Sequence, residues 1–399
     1  MAEKTISQKK LLGVAGLGWM FDAMDVGMLS FIIAALSADW GLTPGQMGWI
    51  GSVNSIGMAV GALLFGILSD RIGRKNIFII TLLMFSLASG LSAFTTTLTV
   101  FLILRFFVGM GLGGELPVAS TLVSESVPAK DRGRVIVLLE SFWAFGWLLS
   151  ALISYFVIPS YGWQIALIIS AIPALYALYL RIKLPDSPAF SSNKGKKRSV
   201  WQNISDVWSK EYARSTFVLW VLWFTVVFSY YGMFLWLPSV MVMKGFNMIQ
   251  SFEYVLIMTL AQLPGYYSAA WLIERMGRKF VLVTYLLGTA AAALAFGNAE
   301  ATSLLMASGI LLSFFNLGAW GALYAYSPEQ YPAVIRGTGS GMAAAVGRIG
   351  GILGPLLVGT LVSANYSISF IFTIFCISII VGVAAVAFLG KETRQLELT

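Results

Sequence analysis

Six ionisable residues stand inside otherwise apolar stretches of this 399-residue chain: Asp22, Asp25, Arg105, Glu115, Glu140 and Arg348. A charge in hydrocarbon is costly and by default marks a path for protons or polar substrates. Asp22 and Asp25 are three residues apart, so a helix carries both on one face. At about 1.5 Å per residue, Asp25 and Arg105 reach similar depth from opposite ends of their segments, where a carboxylate can pair with a guanidinium. Burial favours the protonated acid and the guanidinium favours the carboxylate, so making and breaking such a pair can load and release a proton. Asp22 is then a second protonation site or a substrate contact. Glu115 can titrate with Asp22, bind a ring nitrogen or serve as a structural hydrogen-bond partner. Glu140, nearer the end of its segment, is expected to partner a basic residue of the gate. Arg348 is placed at mid-segment, where a fixed cation can hold a carboxylate bidentately; a salt bridge to a first-segment carboxylate is the alternative. The chain has no histidine, so a proton relay must use carboxylates.

The elements that hold these residues follow from composition. Charged residues make up 11% of the chain and hydrophobic ones 58%, and mean hydropathy is +0.82, against about 25% charged residues in soluble domains. Crossing roughly 30 Å of hydrocarbon takes about 20 residues. Such stretches are expected near 12–37, 46–68, 77–95, 98–123, 134–156 and 163–182, then 214–241, 252–273, 280–297, 301–325, 337–363 and 366–389. The fold expected is an all-α membrane protein of twelve transmembrane helices in two pseudo-symmetric six-helix bundles, residues 1–183 and 214–399. Between them, 184–213 is expected to be a cytoplasmic linker. Trp201, Ile204, Val207 and Trp208 recur there at helical spacing, as in a short amphipathic helix at the membrane surface.

The net charge of +8 lies almost wholly in alternate loops. The positive-inside rule then puts both termini in the cytoplasm of a multi-pass cell-membrane protein; the basicity is a topology signal and no nucleic-acid partner is expected. The first apolar run is too long for the core of a cleavable signal. A single cysteine, Cys376, allows no intrachain disulfide. No nucleophile-elbow, metal-ligand or phosphate-loop motif is present, so neither enzyme activity, metal nor cofactor is expected.

Two unrelated motifs repeat at one offset. GILSDRIGRK (66–75) returns as AWLIERMGRK (270–279), and ESVPAKDRG (125–133) as EQYPAVIRG (329–337), each 204 positions later. Asp70, Arg71, Gly73, Arg74, Glu125, Arg132, Glu274, Arg275, Arg278, Glu329 and Arg336 belong to these copies and are expected to form ion pairs that close the cytoplasmic mouth. Arg348 has no repeat partner, since the equivalent position is Ala144. Aromatic residues of the seventh and tenth spans, with an amide, could clamp a planar ring: Phe228, Tyr231, Asn316 and Trp320.

GILSDRIGRK resembles the hallmark loop of the major facilitator superfamily, and RFFVGMGLGGELP (105–117) resembles its RxxxGxGxG motif. ESVPAKDRG and EQYPAVIRG are similar to signatures of sugar porters and their relatives. FDAMD (21–25) and GRIGGILGP (347–355) resemble motifs of aromatic-acid:proton symporters, and the combination is most like the bacterial niacin permeases. The resemblance implies two bundles rocking about a central site, with Asp25 and Arg105 as the proton-coupling pair. The seventh span lacks the QQ pair of sugar transporters, and the fifth lacks the GxxxGPxxG of drug antiporters. The expected function is import of a small aromatic monocarboxylate, nicotinate first, with one proton. Alternatives are a hydroxybenzoate-like acid, an organic cation or drug received by Asp22 and Glu115, and a non-transporting membrane sensor. Substrate, protons and membrane lipid are the expected partners of a functional monomer.

Overall fold

The structure, a computed structural model, describes residues 8–72, 74–113, 127–128, 130–182 and 199–394. Among these residues there are helices and no strands. The first half contributes α1 (Gln8–Trp40), α2 (Pro44–Ile72), α3 (Arg74–Ser92), α4 (Leu98–Gly113), α5 (Arg132–Tyr161) and α6 (Trp163–Ile182). A short helix, α7 (Val200–Val207), leads into α8 (Ala213–Phe234), α9 (Leu237–Met243), α10 (Met248–Leu260) and α11 (Gln262–Met276). Then come α12 (Arg278–Asn298), α13 (Thr302–Tyr326), α14 (Ala333–Ser363) and α15 (Ile368–Ala384).

Eight of these helices are long and apolar enough to cross a membrane, and α3, α4 and α6 carry shorter apolar stretches. The eighth span is α10 with α11, expected as one helix over 252–273 but broken at Ala261. Pro264 follows within the first turn of α11, where its missing N–H is tolerated. The seventh span, α8 with α9, breaks at Leu235–Trp236. Pro238 begins α9, whereas a Cβ on Gly232 would overlap the Phe375 ring; packing, not bending, requires that glycine.

The 204-residue repeat is legible in the packing. The α1–α5, α2–α4 and α3–α6 pairs return as α8–α14, α11–α13 and α12–α15. The bundles meet along two seams, α2 against α14 and α5 against α10, α11 and α13. Ser52 Oγ donates to the Ile352 carbonyl across the first seam at 2.6 Å. The helix α7 is amphipathic as expected: Val207 is fully buried while Trp201 is exposed, and the Val207 carbonyl accepts from Thr216 Oγ1 at 2.7 Å.

Candidate substrate and proton site

Asp25 and Arg105 form the pair that their depths suggest. Arg105 Nη2 lies 2.7 Å from Asp25 Oδ2 and Nη1 lies 3.2 Å from Oδ1, both side chains fully enclosed. Asn54 Oδ1 adds a third contact at 3.4 Å. The glycines after Arg105 make this geometry possible. A Cβ on Gly109 would overlap the Asn54 carbonyl oxygen and one on Gly113 that of Met58, while one on Gly111 would come to 2.7 Å from the Thr81 carbonyl. Thus α4 presses its backbone onto α2 on one side and α3 on the other, which seats Arg105 against α1. Asp22, one turn away on α1, is also buried.

Arg348 is placed differently. Half-buried on α14, it points Nη1 across the seam to the Met58 sulfur at 3.6 Å and makes no ion pair with any described residue. Of the two mid-span arginines, one is neutralised by a carboxylate and the other is not.

Between the bundles lies a cluster of rings. Trp19 of α1 and Trp143 of α5 face Tyr230 of α8 and Trp320 and Tyr324 of α13. Trp143 and Trp320 stack at 6.0 Å, Trp19 meets Tyr324 edge-on at 5.8 Å, and Trp143 Nε1 donates to Tyr230 Oη at 2.7 Å. All but the part-buried Tyr324 are nearly inaccessible to solvent.

Glu140 belongs to this cluster, not to the gate. It is completely buried and accepts from Trp19 Nε1 at 2.9 Å through Oε2, while Oε1 has no partner. The Trp320 indole interacts with the same carboxylate without the geometry of a hydrogen bond. Depth misled the sequence reading here, because about 12 Å from the helix start is far enough for neighbouring spans to enclose the side chain. A signal was available: Glu140, Trp143 and Trp147 share one face of α5, an acid beside two indoles.

The other expected lining residues divide. Tyr231 is buried with an unpaired hydroxyl, Asn316 is fully buried with both amide atoms unpaired, and Trp320 Nε1 is unpaired. Native interiors leave few such groups unsatisfied. Phe228 lies inside the second bundle instead, stacked on Phe224 at 5.6 Å and packed on Phe375 at 5.2 Å.

The basic loops gather at one end of the bundles. Arg278, fully buried, bonds both oxygens of Glu329 at 2.9 Å and those of Glu274 at 2.7 and 3.2 Å. Thr393 Oγ1 donates to Glu329 at 2.7 Å. Glu392 accepts from the N–H groups of Arg278 and Lys279 at 2.9 and 3.0 Å, so a C-terminal residue closes the start of α12. Glu274 also accepts from the Arg134 N–H at 3.0 Å. A carboxylate of the second bundle therefore occupies the first turn of α5, where unpaired N–H groups and the helix dipole favour an anion. Gly133 makes room, since a Cβ there would come to 2.6 Å from Arg278 Nη2 and 2.7 Å from Glu274 Oε1.

Arg132 and Arg336, 204 positions apart, hold matching carbonyls: Arg132 Nη2 donates to Val127 O and Arg336 Nε to Tyr331 O, each at 3.3 Å. Arg275 departs from the expected network and lies exposed, 4.2 Å over the Trp271 ring. Arg278, three positions further along, turns inward. Gly73, Glu115 and Glu125 lie outside the described residues, as do the side chains of Asp70, Arg71 and Arg74.

Twelve spans in two related bundles, with charges and unpaired polar groups at the seam, are the architecture of an alternating-access membrane carrier. The chain belongs to the Major Facilitator Superfamily, whose family model matches residues 15–268 and 254–398. It is 69% identical over 396 residues, 99% of both chains, to a Bacillus subtilis (strain 168) protein provisionally named as the niacin/nicotinamide transporter NiaP. It is 49% identical over 412 residues to the niacin transporter NiaP of Acinetobacter baylyi (strain ATCC 33305 / BD413 / ADP1), covering 96% of this chain and 94% of that one. Among solved structures, the xylose transporter XylE from E. coli in a partially occluded inward-open conformation superposes with a TM-score of 0.79, at 20% identity, over 97% of this chain and 99% of that one.

Proposed function

We propose that the protein imports nicotinate together with a proton, by alternating access across the cell membrane, as a monomer with both termini in the cytoplasm. The observation that carries this reading is Arg348, a seam-facing guanidinium whose Nη1 lies 3.6 Å from the Met58 sulfur and which makes no ion pair with any described residue. A buried or half-buried cation of this kind gains most from an anionic ligand. The carboxylate of the substrate goes to Arg348, and its ring goes among Trp143, Tyr230 and Trp320, with Tyr231 and Asn316 as further polar contacts. Phe228 takes no part. The identity to named niacin transporters along nearly the whole chain supports this choice of acid.

Asp25 and Arg105 act as the proton-coupling pair, with Asp22 and Glu115 as auxiliary carboxylates. When the pair separates, Asp25 takes up a proton; when it re-forms, the guanidinium displaces that proton. Glu274 on the first turn of α5 holds the basic end shut, that end being the cytoplasmic one. Asp70, its repeat equivalent, is assigned the same gating task.

Nicotinate with one proton carries no net charge. Reconstituted protein is therefore expected to accumulate labelled nicotinate when the medium is more acidic than the vesicle interior, and to lose that accumulation with a protonophore. Accumulation that is indifferent to the pH gradient would refute the coupling. Nicotinamide, which keeps the ring and loses the charge, is expected to compete weakly.

A further inference from the structure

Glu140 is left without a task by the reading above, yet it occupies the middle of the ring cluster. Its environment provides one indole N–H on Oε2, nothing on Oε1, and no ion pair with any described residue. The Tyr266 hydroxyl is fully buried and makes no hydrogen bond. Among the described residues no cation pairs with this carboxyl, and an uncompensated charge is costly in such a setting. A neutral carboxyl has an O–H to donate. The indole already occupies Oε2 as an acceptor, which leaves Oε1 as the atom to carry the proton. Tyr324 packs on Trp19 at 5.8 Å and on Trp320 at 5.7 Å, so its ring borders the same cluster.

We propose that Glu140, as the neutral acid, donates a hydrogen bond from Oε1 to the ring nitrogen of a pyridine carboxylate whose carboxylate lies on Arg348. The inference rests on the nicotinate reading and adds the element that selects the heterocycle. A benzene carboxylate of the same shape presents a C–H to that donor and leaves it unsatisfied in a dry site. An aromatic enclosure with an ionised carboxylate would instead suit an organic cation; the unpaired guanidinium of Arg348 at the same seam disfavours that occupant.

The test measures equilibrium binding of nicotinate and benzoate to purified protein in lipid nanodiscs, for wild type, Glu140→Gln and Glu140→Leu. Glutamine keeps an N–H donor of similar reach but cannot ionise, whereas leucine keeps volume and loses the donor. Wild type is expected to prefer nicotinate over benzoate by about tenfold or more, the range of one buried hydrogen bond. Glutamine should retain most of that preference, and leucine should bring the ratio close to one. A preference that survives in the leucine variant would overturn the assignment. So would a glutamine variant that loses the preference as completely as leucine, because the charge and not the donor would then matter. Binding of both acids by wild type with equal affinity would overturn this inference alone; binding of neither would overturn the nicotinate reading with it.

Discussion

Replacing Glu274 should loosen the contact between the bundles at the basic end by an amount that can be worked out. Its Oε1 accepts from the Arg134 N–H at 3.0 Å, and the helix that begins there has no side-chain cap from its own Asp131. A hydrogen bond to a charged group contributes about 1.5–3 kcal/mol, of which roughly 0.3–1 kcal/mol reflects a carboxylate on a helix start. The Glu274 side chain is 16% exposed, so solvent screening favours the lower limit, about 1.5 kcal/mol, or close to tenfold in a two-state equilibrium. Glu274→Ala leaves Arg278 still held by both oxygens of Glu329, so the second bundle keeps its own bracing. A reporter cysteine at Leu138, which lines the same groove between α5 and α11 as Glu274, with Cys376→Ser removing the native thiol, reads the opening. Alkylation by a permeant maleimide should accelerate about tenfold in Glu274→Ala, and by less in Glu274→Gln, which keeps an acceptor without the charge. An unchanged rate in the alanine variant would refute the reasoning.

Three further outcomes follow from the same geometry. Asp25→Asn leaves the buried Arg105 guanidinium without its countercharge, a loss of roughly 3–5 kcal/mol for such pairs; the thermal midpoint should fall and gradient-driven accumulation vanish, with Arg105→Gln in the same chain restoring part of the midpoint. Arg348→Ala should weaken nicotinate binding by about tenfold or more, as expected for a charge-assisted bond, while Arg348→Lys, charged but unforked, should lie between; unaltered binding in the alanine variant would remove Arg348 from the receptor. Adjacent glycines of α14 should differ in thermal melts. A Cβ on Gly350 meets the Phe224 carbonyl at 2.7 Å and the Phe228 nitrogen at 3.0 Å, both backbone, whereas one on Gly351 meets only side chains at 3.4 Å; Gly350→Ala should destabilise and Gly351→Ala should not.

Much of this arrangement was legible in the chain because it depends on period and offset. Apolar length gave the spans, and counting residues from their ends was enough to bring Asp25 level with Arg105. The repeat placed Glu274, Arg278 and Glu329 in one network because both copies keep the acid and base at the same spacing. Distances that depend on how a helix is rotated were not legible. Phe228 and Tyr231 are neighbours on one aromatic helix, yet the first faces Phe375 in its own bundle and the second lies beside Tyr230. Arg275 and Arg278 belong to one loop, and only the fold shows which turns inward. Glu140 was misread for the opposite reason, since depth alone says nothing about which neighbours close over a side chain.

Comparing α5 with α14, its repeat equivalent, shows how a symmetric scaffold acquires an asymmetric site. Counting 204 positions on from Glu140, Trp143 and Trp147 leads to Ala344, Gly347 and Gly351, while Ala144 leads to Arg348. One helix carries an acid and two indoles where the other carries small residues, and a guanidinium where the first carries a methyl group. The glycines of α14 let Trp223 and Val227 pack closely against that helix, a Cβ on Gly347 coming to 3.0 and 3.1 Å from them. A ligand that satisfies both helices must itself be polarised, with a flat face for the indoles at one end and an anionic group for Arg348 at the other. The repeat supplies two halves that can rock against each other; the substitutions between these two helices define the kind of molecule that can be held while they do.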